Sequence, residues 1–198
     1  PGIDGLIVSR DAVLLADAAA STLPAVGRDI RSATKSITAL LVGIAIDRGS
    51  IPSVDTPVVD LLPEYADALR TDPRKARIRV RDLLTMRSGL DCDDWDRASP
   101  GHEDRMYRRR DWLAFWAAVP MRDEPGTRFS YCTGNAVALG RIVEIASGQT
   151  LSAFAEAALF EPLGIRGAQW ATWKRGSRID SGGHQIAAVR MVVAERAK

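Results

Sequence analysis

Ser32 and Lys35 stand three positions apart in Arg31-Ser32-Ala33-Thr34-Lys35-Ser36. On a helix, positions i and i+3 share a face, which brings a hydroxyl and an amine side by side. A serine hydroxyl turns nucleophilic when an adjacent base takes its proton, and a neutral amine is such a base. A guanidinium cannot serve, because it stays charged at working pH. The lysine is therefore informative in a chain that uses 23 arginines and 4 lysines. Its 13 serines and 4 lysines would give about one quarter of such a pair by chance, and the one that occurs opens the most apolar segment. A helix N-terminus adds free N–H groups and partial positive charge, which can steady a developing oxyanion. Taken alone, the pair also fits a capping serine followed by a lysine lying along the surface.

A second candidate lies 99 residues further on. Glu124-Pro125-Gly126-Thr127 reads as a turn, and Phe129-Ser130-Tyr131 emerges from it at a helix entrance. A tyrosine held there can project into a cleft, where its phenol could relay a proton between nucleophile, lysine and leaving group. An aromatic packing anchor is the alternative reading of the same residue.

These groups need elements to hold them. Residues 3–9 and 13–19 read as two short strands joined by a turn at Ser9-Arg10-Asp11-Ala12. A helix is expected from Ser32 to Arg48, stopped at Gly49. Ile37, Leu40, Leu41, Ile44 and Ala45 give it an apolar stripe, and Val42 and Ile46 widen it, which predicts a central helix. Further helices are expected at residues 58–62, 80–86, 111–119 with Asp111 as cap, 135–147 before Gly148, and 151–159. Residues 91–110 read as a long polar loop anchored by Trp95 and Tyr107.

Composition bounds the rest. The chain has 198 residues, 46% hydrophobic and 26% charged, with a net charge of +2. That is a globular composition and excludes disordered and collagen-like classes. Basic residues cluster at 74–81 and 108–110, but Asp72, Asp82, Asp104 and Asp111 lie among them, so a solvated face is expected and nucleic-acid binding is not. The longest mainly apolar run, residues 37–46, is too short to span a bilayer. Pro1-Gly2-Ile3-Asp4 has no basic flank and no long apolar run behind it, so no signal peptide is expected in these residues. Cys92 and Cys132 match no zinc spacing and are read as free thiols, with one buried disulfide between them as the lesser alternative; no metal and no cofactor are expected. His184 near Asp180 is read as a loop histidine, and no serine sits in a G-x-S-x-G elbow.

Together the segments resemble the serine β-lactamase and penicillin-binding-protein superfamily. The resemblance is to its class C-like branch, which includes esterases, DD-peptidases and 6-aminohexanoate-oligomer hydrolases. Residues 31–49 look like its S-x-x-K helix. Val80-Arg81-Asp82-Leu83-Leu84-Thr85-Met86-Arg87-Ser88-Gly89-Leu90 looks like its "LLT…SGL" segment. Pro125-Gly126 through Tyr131 looks like its tyrosine motif, and Ala146-Ser147-Gly148-Gln149-Thr150 with Pro162-Leu163-Gly164 looks like the helices that follow. By that resemblance Ser32 is the acylated nucleophile, Lys35 its activator and Tyr131 the general acid/base. Where the family carries Asn or Ser, two positions after the tyrosine, this chain has Thr133, whose hydroxyl is expected to bind a substrate amide. Asp91-Cys92-Asp93-Asp94-Trp95 looks most like the oligomer-hydrolase and esterase side.

The implied fold is α/β and β-lactamase/DD-peptidase-like: an antiparallel sheet, incomplete here, packed with a large helical subdomain. Residues 1–198 are expected to be one such domain, truncated at both ends. Residues 1–31 supply sheet strands, 32–164 the nucleophile helix and helical block, and 165–198 a return segment with no clear strand after Gly183. The family's Lys/His-Thr/Ser-Gly strand is read as absent, with Lys174-Arg175-Gly176 only a weak mimic. The implied function is hydrolysis of a small ester or amide through an acyl-enzyme. Alternatives are a module that acylates without turnover, and a non-catalytic remnant. Self-association through an open sheet edge is expected, and cytoplasmic and periplasmic locations both stay open.

Overall fold

The computed structural model describes residues 5–19, 28–166, 168–170 and 191–193. The chain starts with a hairpin of β1 (Gly5–Arg10) and β2 (Val13–Ala19), paired antiparallel from Gly5↔Ala19 to Arg10↔Val13. Asp11 and Ala12 both take positive φ, 50° and 63°, the backbone of a two-residue turn that matches strand twist. Both faces of the ribbon are open: Leu6, Ile7, Val8, Val13, Leu14 and Leu15 are all exposed.

A second antiparallel sheet has the order β3-β5-β4, built from β3 (Arg28–Asp29), β4 (Gln169–Trp170) and β5 (Met191–Val193). Val193 pairs with Arg28 and Val192 with Gln169, so β5 is the middle strand. This departs from the expectation of no strand beyond Gly183. Met191-Val192-Val193 is a short apolar run without alternation, a pattern that local periodicity does not resolve.

The helical block carries the core. α1 (Thr34–Asp47) ends where Gly49 takes φ 72°, and it buries Leu41, Val42 and Ala45. Its other side stays open, with Leu40 56% exposed. Short helices follow: α2 (Val58–Leu61), α3 (Ala66–Leu69), α4 (Val80–Leu84), α5 (Glu103–Tyr107) and α6 (Trp112–Ala118). α7 (Thr133–Ser147) is the true centre, packed by α1, α4, α6 and α8 (Leu151–Ala155). Every residue from Thr133 to Gly140 is buried, which its run of Gly, Ala, Val and Leu permits. The expectation of a central α1 is therefore corrected: α7 is buried nearly all round, whereas α1 has one covered face.

Two further readings change. Within the expected loop at 91–110, residues 103–107 form α5; the His102 ring accepts the Asp104 N–H at its start, and Met106 sinks into the core. Five residues are too few to show a helical period. Cys92 and Cys132 are joined in a disulfide across 40 positions of sequence, with Cα atoms 5.4 Å apart, and are not free thiols. Chain reversal, not sequence spacing, brings them together. Among the described residues no helix is long and apolar enough to cross a membrane. Lys174-Arg175-Gly176, Asp180 and His184 lie outside the described residues.

Candidate active site

Ser32 does not lie inside α1. It sits in a single 3₁₀ turn, Arg31–Ala33, that leads into the helix, and it is solvent-exposed. Arg31 is held at φ 46°, a conformation that costs a non-glycine residue about 1 kcal/mol or more. The kink lifts the serine out of the regular helix, yet Lys35 still reaches it: Lys35 Nζ donates to Ser32 Oγ at 3.3 Å. The same Nζ lies 5.1 Å from the centroid of the Tyr131 ring. The structure thus gathers Ser32, Lys35 and Tyr131 into one cluster.

Tyr131 is fixed by its neighbours in the chain. Met86, at φ 55°, offers its carbonyl to the Ser130 N–H at 2.8 Å, and Arg87 offers its carbonyl to Gly126 N–H at 2.8 Å. Gly89 takes φ 79° under the Asp123 carbonyl, where a Cβ would come within 2.5 Å, so the "SGL" glycine is required by space as well as by φ. The Ser130 hydroxyl donates to the Cys92 carbonyl at 2.7 Å, and the Asp94 N–H donates to the Tyr131 carbonyl at 2.8 Å. The disulfide ties Cys132, next to Tyr131, into the same knot.

Asp94 is the organising carboxylate. Its two oxygens accept the Thr133 N–H at 2.6 Å and the Glu103 N–H at 2.9 Å, and so tie together the first turns of α7 and α5. Burial pushes the Asp94 carboxyl up; the Thr133 donor pulls it back, and the Glu103 charge adds to the rise. Behind it, Thr133 Oγ1 and Tyr107 OH both donate to Glu103 Oε2, each at 2.9 Å. Burial and the Glu103 charge together raise the Tyr107 phenol well above its usual range. Under α7, Trp116 Nε1 donates to Asn135 Oδ1 at 3.1 Å. Gly134 gives that indole its space, since a Cβ there would meet Trp116 Cδ1 at 2.6 Å.

Thr133 is not brought to the cleft. It is 1% exposed and its hydroxyl is committed to Glu103. Trp95, read as an anchor of the 91–110 loop, is 75% exposed and lies flat against Tyr131, ring centroids 5.5 Å apart with 2° between planes. The role of Asp94 and the Arg31 kink escape sequence reasoning, and the disulfide is the lesser of the two readings it offers for Cys92 and Cys132. Asp94 works through partners 9 and 39 residues away, which no local pattern displays. A concavity of about 430 Å³ bounded by Pro100, Arg105, Arg108, Arg109 and Phe115 shares no residue with the Ser32 cluster; the chemistry of the side chains, not the volume, identifies the site.

Comparison with known proteins bears on this arrangement. The family model described as Beta-lactamase matches residues 28–196. The chain is 34% identical over 146 residues to esterase EstB of Burkholderia gladioli, covering 69% of this chain and 36% of that protein. It is 35% identical over 135 residues to penicillin-binding protein 4 of Amycolatopsis lactamdurans, covering 68% and 33%. The chain thus spans about a third of the length of these relatives. Among solved structures, a penicillin-binding protein from Bacillus halodurans superposes with a TM-score of 0.68 at 21% identity, over 96% of this chain and 66% of that one. A class C beta lactamase from Rhodobacter sphaeroides gives 0.62 at 20% identity, over 97% and 57%.

Proposed function

The chain belongs to the Beta-lactamase family, and on that premise we propose that Ser32, Lys35 and Tyr131 carry out acyl transfer from a small ester or amide to water. The fold is the β-lactamase/DD-peptidase-like one, an antiparallel sheet with a large helical subdomain. The observation that carries the proposal is the 3.3 Å contact between Lys35 Nζ and Ser32 Oγ, beneath the Tyr131 ring.

In this reading Ser32 Oγ attacks the substrate carbonyl while its proton passes to Lys35 Nζ. The tetrahedral oxyanion forms beside the Ser32 backbone N–H, since the Ala33 and Thr34 N–H groups are donated to the Ile30 and Arg31 carbonyls. It collapses as the C–O or C–N bond breaks, with Tyr131 or Lys35 returning the proton to the leaving group. Water, deprotonated by the same groups, then releases the acyl chain and restores Ser32. Thr133 belongs to the support of Tyr131, through Asp94 and Glu103, and not to substrate contact. We carry residues 1–198 as one domain, and the exposed β1–β2 ribbon as a surface for self-association with a second copy.

An activated fluorophosphonate, read by peptide mass spectrometry, tests the assignment. It should label Ser32 and no other serine, with Lys35→Arg as slow as Lys35→Ala, because a fixed cation cannot take the proton. Labelling that persists in Ser32→Ala refutes it. Acylation without turnover is supported as a second reading by the penicillin-binding relative; one equivalent of released product per chain, with no further release, would select it.

A further inference from the structure

Trp95 is the most exposed large hydrophobic side chain among the described residues, at 75%, and it stands at the cleft. Its indole is parallel to the Tyr131 ring, and a centroid separation of 5.5 Å at 2° means an offset stack that leaves the outer face open. Phe129, 48% exposed, stands 6.1 Å away, tilted by 42°, as a second wall. Two large aromatics kept in water beside a candidate nucleophile lack a packing reason, because neither fills the core.

The backbone that carries the indole is also held in place. The Trp95 backbone N–H donates to Asp93 Oδ1 at 3.0 Å, and the Asp96 backbone N–H to the Asp93 carbonyl at 3.3 Å. Asp94, immediately before it, is fixed at its own N–H and at both carboxylate oxygens. A flat surface preset in this way binds a planar group without paying to order itself.

We propose that Trp95, with Phe129, forms a substrate subsite for a planar aromatic group, so that the ester or amide acted on bears an aryl ring within reach of its reacting carbonyl. Lys35 Nζ and the Trp95 indole both lie against the Tyr131 ring, 5.1 Å and 5.5 Å from its centroid, so the indole and the reacting atoms border the same aromatic side chain. The inference rests on Ser32 as nucleophile for its position within reach of the carbonyl, but not for the aryl site itself.

Two measurements on the full chain test it. The first compares labelling rates with benzyl- and hexyl-substituted fluorophosphonates. The benzyl probe should react about tenfold faster, the size of one aromatic contact. Trp95→Ala should erase that ratio and Trp95→Phe should keep most of it. A Trp95→Ala loss equal for both probes means that Trp95 only supports Tyr131, and overturns the proposal. The second follows the Trp95 indole N–H resonance, assigned through Trp95→Phe, in the Ser32→Ala protein. Benzamide should shift it where hexanamide does not; no selective shift overturns the subsite. An unreactive Ser32 with a benzamide shift defeats the catalytic reading and leaves the aryl site standing.

Discussion

Breaking the Cys92–Cys132 bond should cost the folded chain on the order of 4 kcal/mol while leaving the Ser32 cluster assembled. The bond closes a loop of 40 sequence positions. The chain-entropy relation for a loop of that length gives roughly 3.9 kcal/mol at 25 °C, lost because the unfolded chain gains freedom. For a chain of this size that corresponds to a fall in Tm of roughly 8–16 °C. The local site has other ties: Ser130 Oγ to the Cys92 carbonyl at 2.7 Å, Asp94 N–H to the Tyr131 carbonyl at 2.8 Å, and Thr133 N–H to Asp94 at 2.6 Å. These act on the native state and do not depend on the sulfur bridge. The assay pairs thermal unfolding of Cys92→Ala/Cys132→Ala with the rate of Ser32 labelling at a temperature where both proteins are folded. Stability should fall by the stated amount and labelling by less than about threefold, below the scale of one lost hydrogen bond to a reacting group. An unchanged Tm would refute the loop argument. A labelling rate that collapses in a still-folded variant would show that the bridge, not the hydrogen bonds, positions Tyr131.

Three further substitutions probe separate claims. Tyr131→Phe should lower Ser32-dependent turnover by about 10²–10⁴ with little change in Tm; a lower Tm at full activity would make the ring a packing group. Gly134→Ala, whose new Cβ would meet Trp116 Cδ1 at 2.6 Å, should destabilise by about 1–3 kcal/mol in urea unfolding; an unshifted midpoint would mean that the indole yields freely. Lys75 is 4% exposed, its Nζ donates to the Ala117 carbonyl at 2.6 Å, and burial holds its pKa below 10.5. In the window between that lowered value and 10.5 the unfolded chain binds the extra proton, so stability climbs with pH. The stability difference between the parent and Lys75→Met should therefore grow in the parent's favour as pH rises through that range, and a flat difference would show that the ammonium is not desolvated.

What the sequence revealed was what is local. The Ser32–Lys35 spacing survives as a 3.3 Å contact even though the serine precedes the helix it was expected to open. Gly49 and Gly148 stop their helices in left-handed backbone, at φ 72° and 68°, and Asp111 caps α6 by accepting the Ala114 N–H at 2.8 Å. Glycine stops and caps are signals written within a few residues. The disulfide, the Asp94 clamp and the buried Lys75 depend on partners 40, 39 and 42 positions away, and residue type at one end does not disclose them. Centrality was misjudged for a related reason. α1 carries the denser aliphatic pattern, whereas α7 is buried by small residues, Gly134, Ala136, Ala138 and Gly140, that let neighbours approach closely. Hydrophobicity reports which surface avoids water, not how many elements can crowd around it.

The loop after Cys92 separates two traits that many clefts entangle. Its base is knotted by the bridge and by Asp94, while residues 95–98 all stand in solvent outside the knot. None of those four residues holds Ser32, Lys35 or the backbone of Tyr131 in place through a hydrogen bond. Changes at the tip, including insertions, fall where chains tolerate them best. A lineage can therefore rewrite what the mouth of the cleft accepts, one tip residue at a time, without renegotiating the machinery behind it. For an engineer the same division marks where a library should be randomised and where it should stop.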